Sequence, residues 1–333
     1  MNFEQIRELA KKTVVAKPNA QFSFDGETIT KDEMLETLRE GINELAGDFK
    51  SYRRNKNLVF ELIEETADLY LPAAVQASIG RFAEIRNVDI GDKPYFVVKL
   101  GKTRGKSFVT RVGTSGIYEV FRLDSKEFSV ETFRTGGAGV VSLERLLTGA
   151  EDLTDILEVI LEGIEDEVYG SVQNALVASL ANGAAASNYG ENAGFSATIL
   201  QGLVNTVSAY GKPVIYCTPE HAQTIVPDDG YVGDIDKSDK REYGYIGKWN
   251  GVEIVVLPQS FTDETNATKV FDPALAFIIP AGKEKIVKVV FEGNTVVAEI
   301  ENRNRTREIS ATKRLGVAVL FNNHFAVFNN TSL

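Results

Sequence analysis

One stretch of this 333-residue chain leaves little choice of structure. Leu153, Ile156, Leu157, Ile160, Leu161, Ile164, Val168, Val172, Ala175 and Leu176 recur at helical spacing, which keeps one face apolar for about six turns. Acid loads the start at Glu151, Asp152 and Asp155, where the helix dipole favours it, and Asn182-Gly183 can supply the left-handed stop. A helix over about 150–183 is roughly 45 Å long, well beyond the average globular helix. A rod of that length fits the spine of an elongated subunit.

The chain before it changes period twice. About 30 N-terminal residues show no clear periodicity. Thr30-Lys31-Asp32-Glu33 then fits a capping box, and Met34, Leu35, Leu38, Ile42 and Leu45 predict a helix that Gly47 ends. Leu58, Val59, Leu62, Ile63, Ala67 and Tyr70 predict a second helix that stops before Pro72. From Pro94 the alternation is period two, in YFVVKL (95–100), SFVTRV (107–112), IYEVFRL (117–123) and FSVETF (128–133). These read as two β-ribbons, the first turning at residues 101–105. A two-stranded ribbon is marginal alone in water, so this one has to lie on something else.

After the spine, Ile199, Leu200, Leu203, Val204 and Val207 mark a helix that leads through Gly211 into the apolar strand PVIYC. Thr218-Pro219 reads as N-cap and first position of a short helix, and 227–248 as a long charged loop. Strands VEIVVLP (252–258) and LAFIIP (275–280) follow, then a meander of KIVKVVF, TVVAEIE, GVAVLF and HFAVF. Helices and strands alternate irregularly, so the fold class expected is α+β.

Charge sharpens this picture. The formal net charge of -11 argues against a surface that wraps nucleic acid as a whole, but the acid is localised. Residues 142–183 hold nine carboxylates against one base, and 184–284 hold 13 against seven. Residues 84–141 run the other way, with ten bases against seven acids, and from Lys93 to Tyr118 there are six basic residues and no acidic one. Separated basic and acidic segments suit surfaces that meet each other. The single cysteine, Cys217, closes no intramolecular disulfide, and no signal peptide is read at the N-terminus, so a reducing compartment is expected. The longest apolar runs fall far short of the ~20 residues that span a bilayer, so no membrane partner is expected.

Candidate chemistry is thin. Residues 101–107 (GKTRGKS) imitate a phosphate loop, but the motif needs Gly at position 100, which is Leu, and a strand follows Ser107. Cys217 and His221 stand four apart, as a nucleophile and base might, with no third group indicated; a thiol hydrolase is the minor reading. Only His221 and His324 could supply imidazole to a metal, and Asp228, Asp229, Asp234, Asp236 and Asp239 lack the calcium-loop pattern. The acidic pairs Glu158/Glu162 and Glu165/Asp166 read as a solvated helix face. No catalytic residue, cofactor or metal is assigned, and the sequence points to a structural or binding protein.

The order of parts resembles the major capsid proteins of tailed double-stranded DNA bacteriophages, the HK97-like fold. Two local matches accompany it. YIGKWNGVEI (245–254) is similar to the family's turn into an axial-domain strand, with its proline replaced, and a basic strand with Arg303, Arg305, Arg307, Lys313 and Arg314 passes into GVAVLFNNHFAVF. The resemblance implies an N-terminal arm (1–55), an extended loop (84–140), a compact axial domain (196–284), and a peripheral domain built from 56–83, 141–195 and 285–333. It implies hexamers and pentamers closing into an icosahedral shell around DNA, assembled in the host cytoplasm. Packaged DNA would touch the inner face without sequence preference, and separate scaffold and portal chains would serve assembly, with room for a decoration protein. Lys99, Lys102, Arg104, Lys106 and Arg111 at the ribbon tip would contact a neighbouring subunit. Asp236, Lys237, Asp239, Lys240, Arg241 and Glu242 would line the capsomer axis, where mixed charges from several copies can pair. An encapsulin nanocompartment shell, which binds cargo enzymes, is the same-fold alternative.

Overall fold

The computed structural model describes residues 3–15, 22–24, 27–29, 37, 40–41, 49–92, 94–99, 125–142, 153–181, 186–226, 234–263, 265–282, 284–301, 306–320 and 323–333. In chain order the elements are α1 (Phe3–Val15), β1 (Phe22–Phe24), β2 (Glu27–Ile29), α2 (Phe49–Ile79), β3 (Ala83–Val88), β4 (Tyr95–Lys99), β5 (Ser125–Ser129), β6 (Phe133–Ser142) and α3 (Leu153–Ala181). There follow β7 (Tyr189–Asn192), α4 (Ala197–Ser208), β8 (Lys212–Cys217), α5 (Pro219–Thr224), α6 (Asp234–Glu242), β9 (Lys248–Trp249), β10 (Val252–Val256), β11 (Leu275–Ala281), β12 (Val287–Glu301), β13 (Thr306–Val319) and β14 (Ala326–Asn330). The architecture is α+β, as expected.

Two sheets organise the molecule. A four-stranded sheet has the order β3-β12-β13-β6, with β3 parallel to β12 and the other pairs antiparallel. A six-stranded sheet has the order β7-β14-β11-β8-β10-β9. The long helices α2 and α3 lie on one face of the four-stranded sheet, burying Val59, Ile63, Ile160, Ile164, Val168 and Val172 against Val289, Phe291, Val297 and Ile309. The same core continues to one face of the six-stranded sheet through Val214, Tyr216, Phe277 and Ile279. The intervening residues Ile215, Cys217, Ala276 and Ile278 point to the opposite face, where Leu200, Leu203, Val204 and Val207 of α4 cover them. Period-two alternation thus places an apolar side chain on each side.

Several local readings hold. The spine helix forms as α3, and the PVIYC strand forms as β8. The Thr218 hydroxyl accepts from the His221 N–H with Pro219 at the first helical position.

Others are corrected. α2 does not stop before Pro72 but runs 31 residues through it. Val59, Ile63, Ala67, Leu71, Val75 and Ile79 form an unbroken stripe at i, i+4, all buried. Burying large apolar side chains stabilises by about 1.5–3 kcal/mol each, so Val75 and Ile79 beyond the proline together offset its cost of about 3 kcal/mol. KIVKVVF and TVVAEIE are not two strands of a meander but one strand, β12, whose register against β13 shifts between Glu292 and Val296. Gly293 takes φ +67 there and makes a bulge rather than a turn. The strand 326–330, expected to return to the peripheral part, instead pairs with β11 and β7 in the six-stranded sheet. Its alternating Ala326/Phe328 and Val327 fill both of that sheet's cores.

The N-terminus and the charged loop also differ. Residues 3–15 form a helix, α1, whose Ile6 and Ala10 pack on Leu62 of α2. Within 227–248, residues 234–242 are helical. Lys240 and Arg241 end this helix at the pole of the dipole that favours base, and Gly244 at φ +81 turns the chain away. The capping box and helix of 30–47 lie outside the described residues.

Candidate assembly surfaces

The second face of the four-stranded sheet carries the root of the ribbon. β4 pairs with β5, Tyr95 opposite Ser129 and Lys99 opposite Ser125, so among the described residues the first ribbon strand meets 125–129, and the expected partner 107–112 lies outside the described residues. FSVETF accordingly divides, its start in β5 and Phe133 in β6. Phe96 and Val130 are buried on Val290 and Leu320. Polar groups fix the same contact. The Arg86 guanidinium sits 4.4 Å over the Phe96 ring and the Lys288 ammonium 5.4 Å from it, and both pair with Glu84. Burial works against charge on Glu84, yet hydrogen bonds from Lys288 and Arg86 hold its pKa below the ordinary value.

Glu292, buried at 6% exposure, gathers three donors. The Gly91 N–H reaches it at 3.1 Å, Arg314 Nη1 at 3.1 Å, and the Thr132 hydroxyl donates to its other oxygen. Hydrogen bonds from Thr132 and Gly91 hold this carboxyl below its usual range.

Charged groups also bind the helices. Lys313 Nζ lies 2.6 Å from Asp68 Oδ1 and donates to the Gly293 carbonyl at 2.6 Å, while Asp68 accepts from the N–H and hydroxyl of Thr295. Arg7 of α1 forms a two-pronged pair with Glu65 of α2, and Lys11 joins it at 3.1 Å. Glu165, expected on a solvated face, accepts from Tyr70 and Tyr169, and Asp166 accepts from Ser260 at 2.7 Å. These two carboxylates anchor the spine helix, and Glu162 stays exposed.

The residues singled out by sequence are placed unevenly. Lys99 ends β4, whereas Lys102, Arg104, Lys106 and Arg111, with the loop 101–107, lie outside the described residues. Asp236, Lys237, Asp239, Lys240, Arg241 and Glu242 share α6, with Lys240, Arg241 and Glu242 exposed and Asp239 half-buried. Cys217 is fully buried and burial pushes its thiol up to about 12. His221 is fully buried too, which lowers its pKa, and its Nδ1 sits 3.1 Å from the Pro273 carbonyl. A thiol kept protonated and an imidazole turned to a backbone carbonyl make a packed core, not a nucleophile and base. Among the described residues no three His, Cys, Asp or Glu group as metal ligands, and no helix is long and apolar enough to cross a membrane.

Comparison with known proteins identifies what these surfaces belong to. The sequence matches, over residues 5–329, the family described as "SPbeta prophage-derived putative capsid protein YonB". The chain belongs to the YonB capsid-protein family. No curated protein matches its sequence. Among solved structures it is similar to the capsid of a native GTA particle, at TM-score 0.52 and 12% identity over 76% of this chain and 90% of that one. Microbacterium phage Oxtober96 matches at TM-score 0.51 and 10% identity over 76% and 90%. The capsid of cyanophage P-SCSP1u matches at TM-score 0.51 and 9% identity over 75% and 87%.

The fold is therefore the HK97-like capsid fold, and the protein is a structural subunit of a phage capsid shell. For a YonB-family subunit, the buried clusters above describe how one copy holds its shape, while one side of β4 stays open. Along β4 the alternation leaves Tyr95 and Val97 exposed at 51% and 58% while Phe96 is buried. The sequence signal for the root was present in that alternation, but not the identity of its seat.

Proposed function

We propose that the subunit assembles into hexamers and pentamers that close an icosahedral shell around double-stranded DNA, in the host cytoplasm and with separate scaffold and portal chains. In this reading residues 1–55 serve as the arm, 84–140 as the extended loop, and 196–284 as the core of the axial domain. Residues 56–83, 141–195 and 285–333 supply the peripheral domain, apart from the strands 189–192 and 326–330 that join the six-stranded sheet. The observation that carries the reading is the ribbon root: a strand pair seated on one subunit with Tyr95 and Val97 facing solvent, leading into an acid-free basic segment. Lys99, Lys102, Arg104, Lys106 and Arg111 then lie across a neighbour and pair with its carboxylates. Exposed pairs contribute only about 0–1 kcal/mol each, so cohesion comes from many copies of an extended contact. Asp236, Lys237, Asp239, Lys240, Arg241 and Glu242 of α6 face the capsomer axis. The nine carboxylates of 142–183 suit a shell lining that DNA slides past.

The test is the double change Arg104→Glu with Lys106→Glu. It is expected to leave the chain folded by circular dichroism and to abolish regular particles by electron microscopy. Normal particles from that variant would overturn the role of the tip.

A further inference from the structure

We infer that Glu292 is the positioning residue of the extended ribbon: one buried carboxylate at the β12 bulge holds both legs of the ribbon and sets the angle at which it leaves the sheet. The inference rests on the assembly reading above for its purpose, but its geometry stands in the single subunit.

The chain runs out to the ribbon past Gly91 and returns past Thr132, 41 positions later in the numbering. Both reach the same side chain, Gly91 through its N–H and Thr132 through its hydroxyl. Arg314 on the neighbouring strand β13 donates to the oxygen that accepts from Gly91. A carboxylate has acceptor sites for several donors at once, and charge-assisted bonds are roughly twice as strong as neutral ones. One side chain thus holds both legs, each through its own oxygen.

Two glycines make the close seat possible. At Gly293 the backbone is left-handed, and a Cβ there would collide with the Ile90 side chain on the outgoing leg. A Cβ at Gly316 would collide with the Glu131 carbonyl on the returning leg. The ribbon therefore crosses the sheet in direct contact at two points that only glycine permits, with Glu292 between them.

The clamp is in turn held from the far side. The bulge that follows Glu292 is tied to α2, because Asp68 accepts from the Thr295 N–H and hydroxyl and Lys313 bridges Asp68 to the Gly293 carbonyl. A continuous run of hydrogen bonds thus joins α2, the bulge and both ribbon legs. A bulge re-aims the side chains beside it, and here the re-aimed group is the one that grips the ribbon.

The experiment uses the full chain before assembly, with amide hydrogen exchange read at the legs (89–92 and 130–132) and along β12–β13, followed by electron microscopy of particles. Glu292→Ala is expected to speed exchange at the Gly91 amide by about tenfold or more and to loosen the returning leg, with inner β12–β13 amides unchanged. Thr132→Val removes one donor only, and should loosen 130–132 while Gly91 stays protected. Glu292→Gln rescues in part, since its carbonyl still accepts from Gly91 and Arg314 and its amide can donate to the Thr132 oxygen. Unchanged exchange at Gly91 in Glu292→Ala overturns the clamp, whatever the ribbon touches. Loosened legs with normal particles overturn its role in positioning the ribbon for assembly, and loosened legs with irregular particles support it.

Discussion

The two sheets solve the same problem in opposite ways. The six-stranded sheet is apolar on both faces, with Val214, Tyr216, Phe277 and Ile279 on one side and Ile215, Cys217, Ala276 and Ile278 on the other. Only the first face of the four-stranded sheet is of that kind. Its second face presents Lys288, Val290 and Glu292 to the ribbon root, and beyond the bulge it opens to solvent at Val296 and Ile300, 51% and 55% exposed. Close apolar packing fixes a lobe wherever its neighbours are. Buried charged groups instead fix direction, because their hydrogen bonds fail when angles change. One sheet therefore makes the body of the subunit, and the other aims the parts that leave it.

The contrast is broken most directly by Phe277→Ala. Phe277 sits 3% exposed in the core that the two sheets share, so the cavity should cost about 3–5 kcal/mol, read as a lowered urea midpoint for the whole chain. If only the six-stranded lobe lost protection in hydrogen exchange, the two sheets would not share one core.

Lys313→Met sharpens it from the other side. Methionine keeps the volume but strips Asp68 and the Gly293 carbonyl of a donor, and each unsatisfied buried group costs about 1–3 kcal/mol. Asp68 keeps its bonds from Thr295, so an overall loss of about 2 kcal/mol is expected, with faster exchange centred on 293–297. A loss as large as that of Phe277→Ala would mean that the charged groups behind the bulge stabilise the fold rather than orienting it.

Thr218→Ala should matter less. The hydroxyl caps a helix of six residues by accepting from the His221 N–H at 3.4 Å, and losing such a cap costs about 0.5–1 kcal/mol. Equilibrium unfolding should register that loss with normal particle assembly, since α5 belongs to the body.

How far the sequence could be read follows the same division. The spine helix, the strand 212–217 and the Thr218 cap were legible because their signals lie within one element. The bulge was not: Gly293-Asn294 between two apolar runs reads equally as a turn, and only β13 pairing with both halves decides for one strand. Pro72 reads locally as a stop, whereas the stripe that holds the helix together extends from Val59 to Ile79, on both sides of it. The clamp was out of reach altogether. Glu292 meets partners 201 and 160 positions away, and Lys313 meets one 245 away, so no spacing rule connects them. The family resemblance supplied the order of parts, but not which carboxylate seats the ribbon.

The smallest expected effect concerns α1, which belongs to neither sheet. Ile6, Leu9 and Ala10 are buried, Ile6 and Ala10 on Leu62, and the pair between Arg7 and Glu65 adds a charged tie beside them. Hydrogen bonding from Arg7 lowers the Glu65 carboxyl to about 2, against an ordinary value of 4.5. For an acid whose pKa is depressed on folding, the stabilisation is complete above the unfolded value and lost as pH falls through the folded one. The contribution of this pair to holding α1 should therefore be full at pH 7, weaken from about pH 4.5, and be largely lost near pH 2. Limited proteolysis with pepsin across that range, alongside exchange in 3–15, should show α1 released while β8 and β11 keep their protection. Glu65→Gln should already show the released pattern at pH 7, because the amide keeps one acceptor but not the charge. An α1 that stays protected in Glu65→Gln would mean that its apolar face, not the ion pair, holds it to α2.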